Sequence, residues 1–246
     1  MLLLACAELP PAVAQPDPWT VEVSSRLRDD AYAFHADGAD FTAEAGPEGL
    51  RARVGLGGAW IGGDEEGFAL TTSAWGRIGS MEAAQLGAPA LGECIALKVD
   101  PEGNCIRRVE SVDGNLTEWW AVDDQGVEQG WLIAASPAGT GPLTVILAVE
   151  GAQATIGDDV VWLEGDGGDL WSVSGLEAWD ADGTALHTQF ERSEVGFRIA
   201  VDDTGAAYPV TIDPVYATAS RTLTGAAAGD ALGRGMSTTM ATTMSW

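Results

Sequence analysis

Lysine occurs once in this chain, at Lys98, and histidine twice, at His35 and His187. Basic residues total 12 against 37 acidic ones, for a net charge of -25. A surface of that sign repels phosphate backbones and anionic lipid, so nucleic acid and direct membrane-surface binding are disfavoured, and neither is expected as a partner. Cysteine is scarce too. Its three residues, Cys6, Cys94 and Cys105, show neither C-x-x-C nor zinc-ligand spacing. No apolar run spans a bilayer; the opening Met1 to Ala7 is far too short. Helical periodicity is confined to Met81 through Leu86, under two turns.

Catalytic signatures are missing as well. There is no H-E-x-x-H, no P-loop and no G-x-G-x-x-G; Gly55-Leu56-Gly57-Gly58 reads as a glycine-rich bend. No nucleophile elbow is present, because Leu170 and Ser172, not glycines, stand two residues before Ser172 and Ser174. His35 and His187 both fall in strand-like surroundings and read as ordinary surface or satisfied histidines. With so many acids, a close carboxylate pair carries no information about glycosidase chemistry. No catalytic residue is assigned.

What the chain does have is period-2 patterning. Leu143, Val145, Leu147 and Val149 alternate with Thr144, Ile146, Ala148 and Glu150. Phe197, Ile199 and Val201 alternate in the same way, and Val210 and Ile212 flank Thr211. Such alternation marks strands with one buried face. Val160 to Leu163 is an apolar run expected to be buried on both sides. An apolar residue followed by Asp, two residues and Gly recurs at Val99-Asp100, Val122-Asp123, Trp179-Asp180 and Val201-Asp202. Asp bonds back to the backbone and Gly supplies positive φ, so each reads as a hairpin turn. Asp180 and Asp182 are weak candidates for a metal site, since calcium needs about six to eight oxygens. Many short strands with such turns predict an all-β fold, one large antiparallel β-sandwich over residues 19–216.

A turn at Pro101-Glu102-Gly103-Asn104 would place Cys105 opposite Asp100. A disulfide between Cys94 and Cys105 therefore needs another register or pairing across sheets. Ten tryptophans raise the question of sugar stacking. Trp162, Trp171 and Trp179 lie in apolar strands and are expected in the core. Trp119 and Trp120 point to opposite faces of any strand, which leaves one of them available for exposure.

Leu3-Leu4-Ala5 directly before Cys6 resembles the lipobox of a bacterial lipoprotein signal, which makes Cys6 the expected lipidation site. Small residues at Ala12-Val13-Ala14 offer a second cleavage site. Both imply export, to the outer membrane or beyond, with the membrane engaged only through a lipid anchor. Residues 1–18 then form a signal remnant and a Pro/Ala-rich tether.

Tyr208-Pro209-Val210-Thr211-Ile212-Asp213-Pro214, followed by Gly225 to Gly229-Asp230-Ala231-Leu232-Gly233, resembles the last strand of a β-domain leading into an FG-GAP repeat. Leu116 to Trp120, Gly126 to Trp131 and Gly175 to Gly183 resemble the region that precedes such repeats in bacterial envelope proteins. The resemblance implies a surface protein of structural or adhesive role, with a β-propeller following. On this reading residues 217–246 are a truncated repeat start, expected to be disordered. The tail from Met236 to Trp246 resembles a calcium loop read in a shifted frame, so calcium is expected only in the missing propeller and no cofactor here. A surface glycan or a protein is the expected partner. A carbohydrate-binding β-sandwich module is the alternative, and a hydrolase with an unrecognised site the third reading.

Overall fold

The computed structural model describes residues 32–45, 49–63, 66–99 and 105–219. Cys6, the tether, the turn at residues 101–104 and the segment after Ala219 lie outside them. In chain order the strands are β1 (His35–Asp37), β2 (Asp40–Ala45), β3 (Leu50–Gly55), β4 (Gly58–Gly62), β5 (Gly67–Arg77), β6 (Ser80–Ala83), β7 (Ala90–Val99), β8 (Cys105–Asp113) and β9 (Leu116–Val122). They continue with β10 (Val127–Ile133), β11 (Leu143–Glu150), β12 (Ala152–Ile156), β13 (Val161–Gly165), β14 (Leu170–Trp179), β15 (His187–Ser193), β16 (Gly196–Asp202) and β17 (Val210–Thr218). Among the described residues there is no helix.

All pairings are antiparallel and fall into two sheets. One runs β1-β2-β3-β4-β5-β11-β16-β15, with β6 beside the second half of β5; the other runs β12-β13-β14-β17-β10-β9-β8-β7. Their inner faces meet as a sandwich. Phe68 on β5 packs on Trp171 of β14 and Tyr216 of β17, with ring centroids 5.0 and 6.3 Å apart. The alternation expected of β11, β16 and β17 is observed: Leu143, Val145, Leu147, Phe197, Ile199, Val201, Val210, Ile212 and Tyr216 are all buried.

Several local expectations are corrected. Met81 belongs to β6, paired with Gly76, because Ser80 to Ala83 finds a partner along β5 that a lone helical turn would lack. In the apolar run before Leu163, Val161 and Leu163 are buried but Trp162 is only half-buried, so β13 is one-sided. Of the Asp-x-x-Gly turns, only Asp123 to Gly126 closes a described hairpin, between β9 and β10. The turns at Asp180 and Asp202 instead leave β14 and β16 for strands of the opposite sheet. The Asp–Gly chemistry sets local chain reversal and does not dictate which strand comes next.

Cys94 and Cys105 are bonded, with Cα atoms 5.5 Å apart. Direct opposition is avoided by irregular register. Cys94 pairs with Arg107 while Val99 pairs with Cys105, so five steps on β7 span two on β8. The bulge brings Cys94 diagonal to Cys105, the arrangement that a regular hairpin forbids. The last core strand, β17, extends to Thr218, and the Ala219 amide still bonds to the Leu170 carbonyl.

Candidate functional site

The polar groups inside the sandwich serve the scaffold. On β9 and β10 the inward positions are Leu116, Glu118, Trp120 and Val122, and Val127, Gln129, Trp131 and Ile133. Glu118 is therefore forced into the core by its register. Its Oε1 accepts bonds from the Thr72 hydroxyl at 2.6 Å and the Gln129 amide at 2.7 Å. Trp131 donates to Thr72 at 3.0 Å, and the Tyr216 hydroxyl donates to Gln129 at 2.5 Å. Thr72 lies on one sheet and Glu118 on the other, so the network crosses the core. Burial pushes the Glu118 carboxyl up, against the hydrogen bonds that favour its charge. These groups satisfy one another inside the core.

A second internal cluster lies where β5 ends. The Arg77 guanidinium donates to both Asp203 oxygens, at 2.8 and 2.7 Å. It also bonds to the Ser136 hydroxyl at 3.0 Å and the Pro137 carbonyl at 3.3 Å, and to the Gly141 carbonyl. The Tyr208 hydroxyl donates to Asp203. Burial opposes the Asp203 charge, but the bonds from Arg77 and Tyr208 outweigh it and hold that carboxyl low. Burial and the bond to Asp203 push Tyr208 up to about 12. The cluster clamps the β10–β11 and β16–β17 connections, both of which cross between the sheets.

Asp180 belongs to the same scaffold. Its Oδ1 accepts the Thr184 and Asp182 amides at 2.8 and 3.0 Å, and its Oδ2 accepts the Ala207 amide at 3.1 Å. The Thr184 amide, then that of Ala207, lowers its pKa. Its lone pairs thus hold two crossovers together. Asp182 is exposed, and among the described residues no group of three or more His, Cys, Asp or Glu is arranged to hold a metal.

The histidines do not meet. His35 is on β1 and His187 on β15, the two opposite edges of the nine-stranded sheet. His187 pairs with Asp202 across β15 and β16 beside a hollow of about 370 Å³ that also borders Gln189 and Thr204. No serine lines that hollow, and no acyl-transfer triad forms there.

The tryptophans correct the sequence reading. Trp119 and Trp120 are both buried. Trp120 enters the core. Trp119, on the outer face, lies over Gly130, where an added Cβ would collide with the indole, and the Arg108 guanidinium covers the ring 4.7 Å from its centroid. Trp171 is in the core as expected, whereas Trp162 and Trp179 are half-buried.

Among the described residues the exposed indole is Trp60, which sequence reasoning did not single out. On β3, buried Leu50, Ala52 and Val54 alternate with exposed Arg51 and Arg53. Register then places His35, Thr42, Arg53 and Trp60 in one cross-strand row on the outer face of the sheet. Glu44, Arg51, Gly62 and Gly67 form the next row. A Cβ on Gly62 or Gly67 would collide with the Trp60 ring, so the indole lies down across both glycines. It stays 37% exposed, against 5% for Trp119. Around it Arg53 Nε bonds Asp40 at 2.7 Å and Arg51 Nε bonds Glu44 at 3.1 Å. A groove of about 720 Å³ is lined by Trp60, Arg51, Arg53, Glu44, Thr42 and His35, with Ala33, Ala43 and Ala52. The legible signal was a tryptophan on a strand bracketed by glycines, beside an Arg-x-Arg pair.

The chain matches no protein-family model, and no curated protein or solved structure is significantly similar to it. The FG-GAP resemblance thus rests on the quoted residues alone.

Proposed function

We propose that this β-sandwich is the non-enzymatic surface domain of an exported bacterial FG-GAP repeat protein, with a structural or adhesive role. The observation that supports it best is the division of polar groups. Arg77, Asp203, Glu118, Gln129 and Asp180 are hydrogen-bonded within the scaffold, whereas the groups that line the large groove gather on an outer sheet face around Trp60. Buried charges that hold inter-sheet connections suit a domain that stands as a rigid unit. An exposed aromatic on a flat sheet suits contact with something outside it. The alternative, a carbohydrate-binding module, is favoured by that same indole, and the two readings merge where adhesion is to a glycan. Export draws on Leu3-Leu4-Ala5-Cys6, and the propeller context on the segment from Tyr208 to Gly233.

The test is surface labelling of intact bacteria that express the whole reading frame with its upstream codons. An antibody to the domain labels unpermeabilised cells, and Cys6→Ser moves the protein out of the membrane fraction. Labelling only after permeabilisation overturns the reading.

A further inference from the structure

We infer that the Trp60 groove binds a neutral polysaccharide chain, with the indole stacked on a sugar ring and the flanking ion pairs bonding to its hydroxyls. This rests on the adhesive reading above and names the ligand.

The first support is a contrast between two similar tryptophans. Trp119 and Trp60 each lie across glycine on the outer face of a sheet. The scaffold covers Trp119 with Arg108 and leaves Trp60 open. An indole laid flat and left uncovered is an apolar surface suited to the C–H face of a pyranose, which carries no charge and packs on an aromatic ring. The second support is the rim. Arg53 pairs with Asp40 at 2.7 Å and Arg51 with Glu44 at 3.1 Å, so each guanidinium stands beside a carboxylate. Guanidinium and carboxylate are planar two-point groups, a match for adjacent hydroxyls that donate and accept.

Charge decides among the ligand classes. The net charge of -25 disfavours a polyanion, and the groove's arginines, each paired with a carboxylate, give it no net charge with which to hold an ion of either sign. A neutral ligand meets neither objection. The groove's about 720 Å³ falls within the roughly 300–1,000 Å³ of ligand clefts. His35 to Trp60 spans three strand steps, roughly 14 Å at about 4.8 Å per step, longer than a single sugar ring.

The experiment is native affinity electrophoresis of the full chain in gels cast with a soluble β-glucan, a galactomannan, dextran or, as polyanion, alginate. The expected result is retardation by at least one neutral polymer and none by alginate. Trp60→Ala weakens that binding at least tenfold and Arg53→Gln several-fold, while Trp60→Phe retains part of it. Circular dichroism of each variant, unchanged from the parent, separates lost binding from lost folding. Parent migration unaffected by every neutral polymer, or equal retardation of Trp60→Ala, overturns the inference. Should the chain still adhere to envelopes through Trp60 without such retardation, the adhesive reading stands, a protein occupies the groove and the glycan proposal fails.

Discussion

Arg77 and Asp203, 126 residues apart in sequence, meet in a two-point ion pair of 2.8 and 2.7 Å at the end of the sandwich where three connections cross between the sheets. Removing one partner leaves a buried charge with no counter-ion. Arg77→Ala or Asp203→Asn should each cost about 3–5 kcal/mol in urea unfolding. The double variant Arg77→Met with Asp203→Leu should cost less than either single change, because it removes both charges together. Equal or greater loss in the double variant would show that the pair's hydrogen bonds, not its charge balance, dominate.

Stability should peak in mildly acidic solution. On the outer face of the second sheet, Asp213 is flanked by Glu177 and Glu128, with Arg108 and Asp123 near, and its Oδ1 has no hydrogen-bond partner. Burial first, then Glu128 and Glu177, raise its pKa to about 7. The folded state therefore holds a proton that the unfolded chain releases near pH 4. That stabilisation is complete below about pH 4 and is lost as pH rises through 7. Asp203 works in the opposite sense: its lowered pKa favours folding above about pH 4, and the benefit is lost as pH falls through the folded value. Asp213→Asn should raise the melting temperature at pH 8 and change it little at pH 4. A variant equally displaced at both pH values would refute this account of Asp213.

Gly130→Ala should destabilise the domain by about 1–3 kcal/mol, since the new methyl must displace the Trp119 indole that lies across it. Displacement also breaks the Arg108 stack, so tryptophan emission should shift to longer wavelength. Unchanged emission would mean that the ring is held elsewhere.

Strands β11, β16 and β17 were legible because each is flanked by strands on both sides and turns one face to the core, so every second residue had to be apolar. The edges were not. The β7–β8 pairing carries a bulge that no period-2 reading contains, and this is why the disulfide looked geometrically awkward. Glu118 is buried because Leu116, Trp120 and Val122 fix the register that carries it inward, which a carboxylate in the sequence does not announce. For the candidate site, the Trp119–Trp120 pair drew attention by its composition. Whether a particular indole is covered depends on a partner such as Arg108 from another strand, which local sequence does not reveal.

Reduction of Cys94–Cys105 should cost no more than about 3 kcal/mol, since the closed loop is short, with a separation of 11 residues. The loss should be felt at the edge. Hydrogen exchange should speed up in β7 and β8, while β10 and β17 at the sheet's centre keep their protection. Uniform acceleration across both sheets would contradict this.

The claim that the outer face at Trp60 makes this an adhesive domain is tested most directly by co-sedimentation of the full chain with isolated bacterial envelopes. The parent protein should sediment with them, Trp60→Ala should reduce bound protein at least tenfold with its circular dichroism unchanged, and Gly130→Ala, on the opposite sheet, should not. Equal sedimentation of the parent and Trp60→Ala would contradict it.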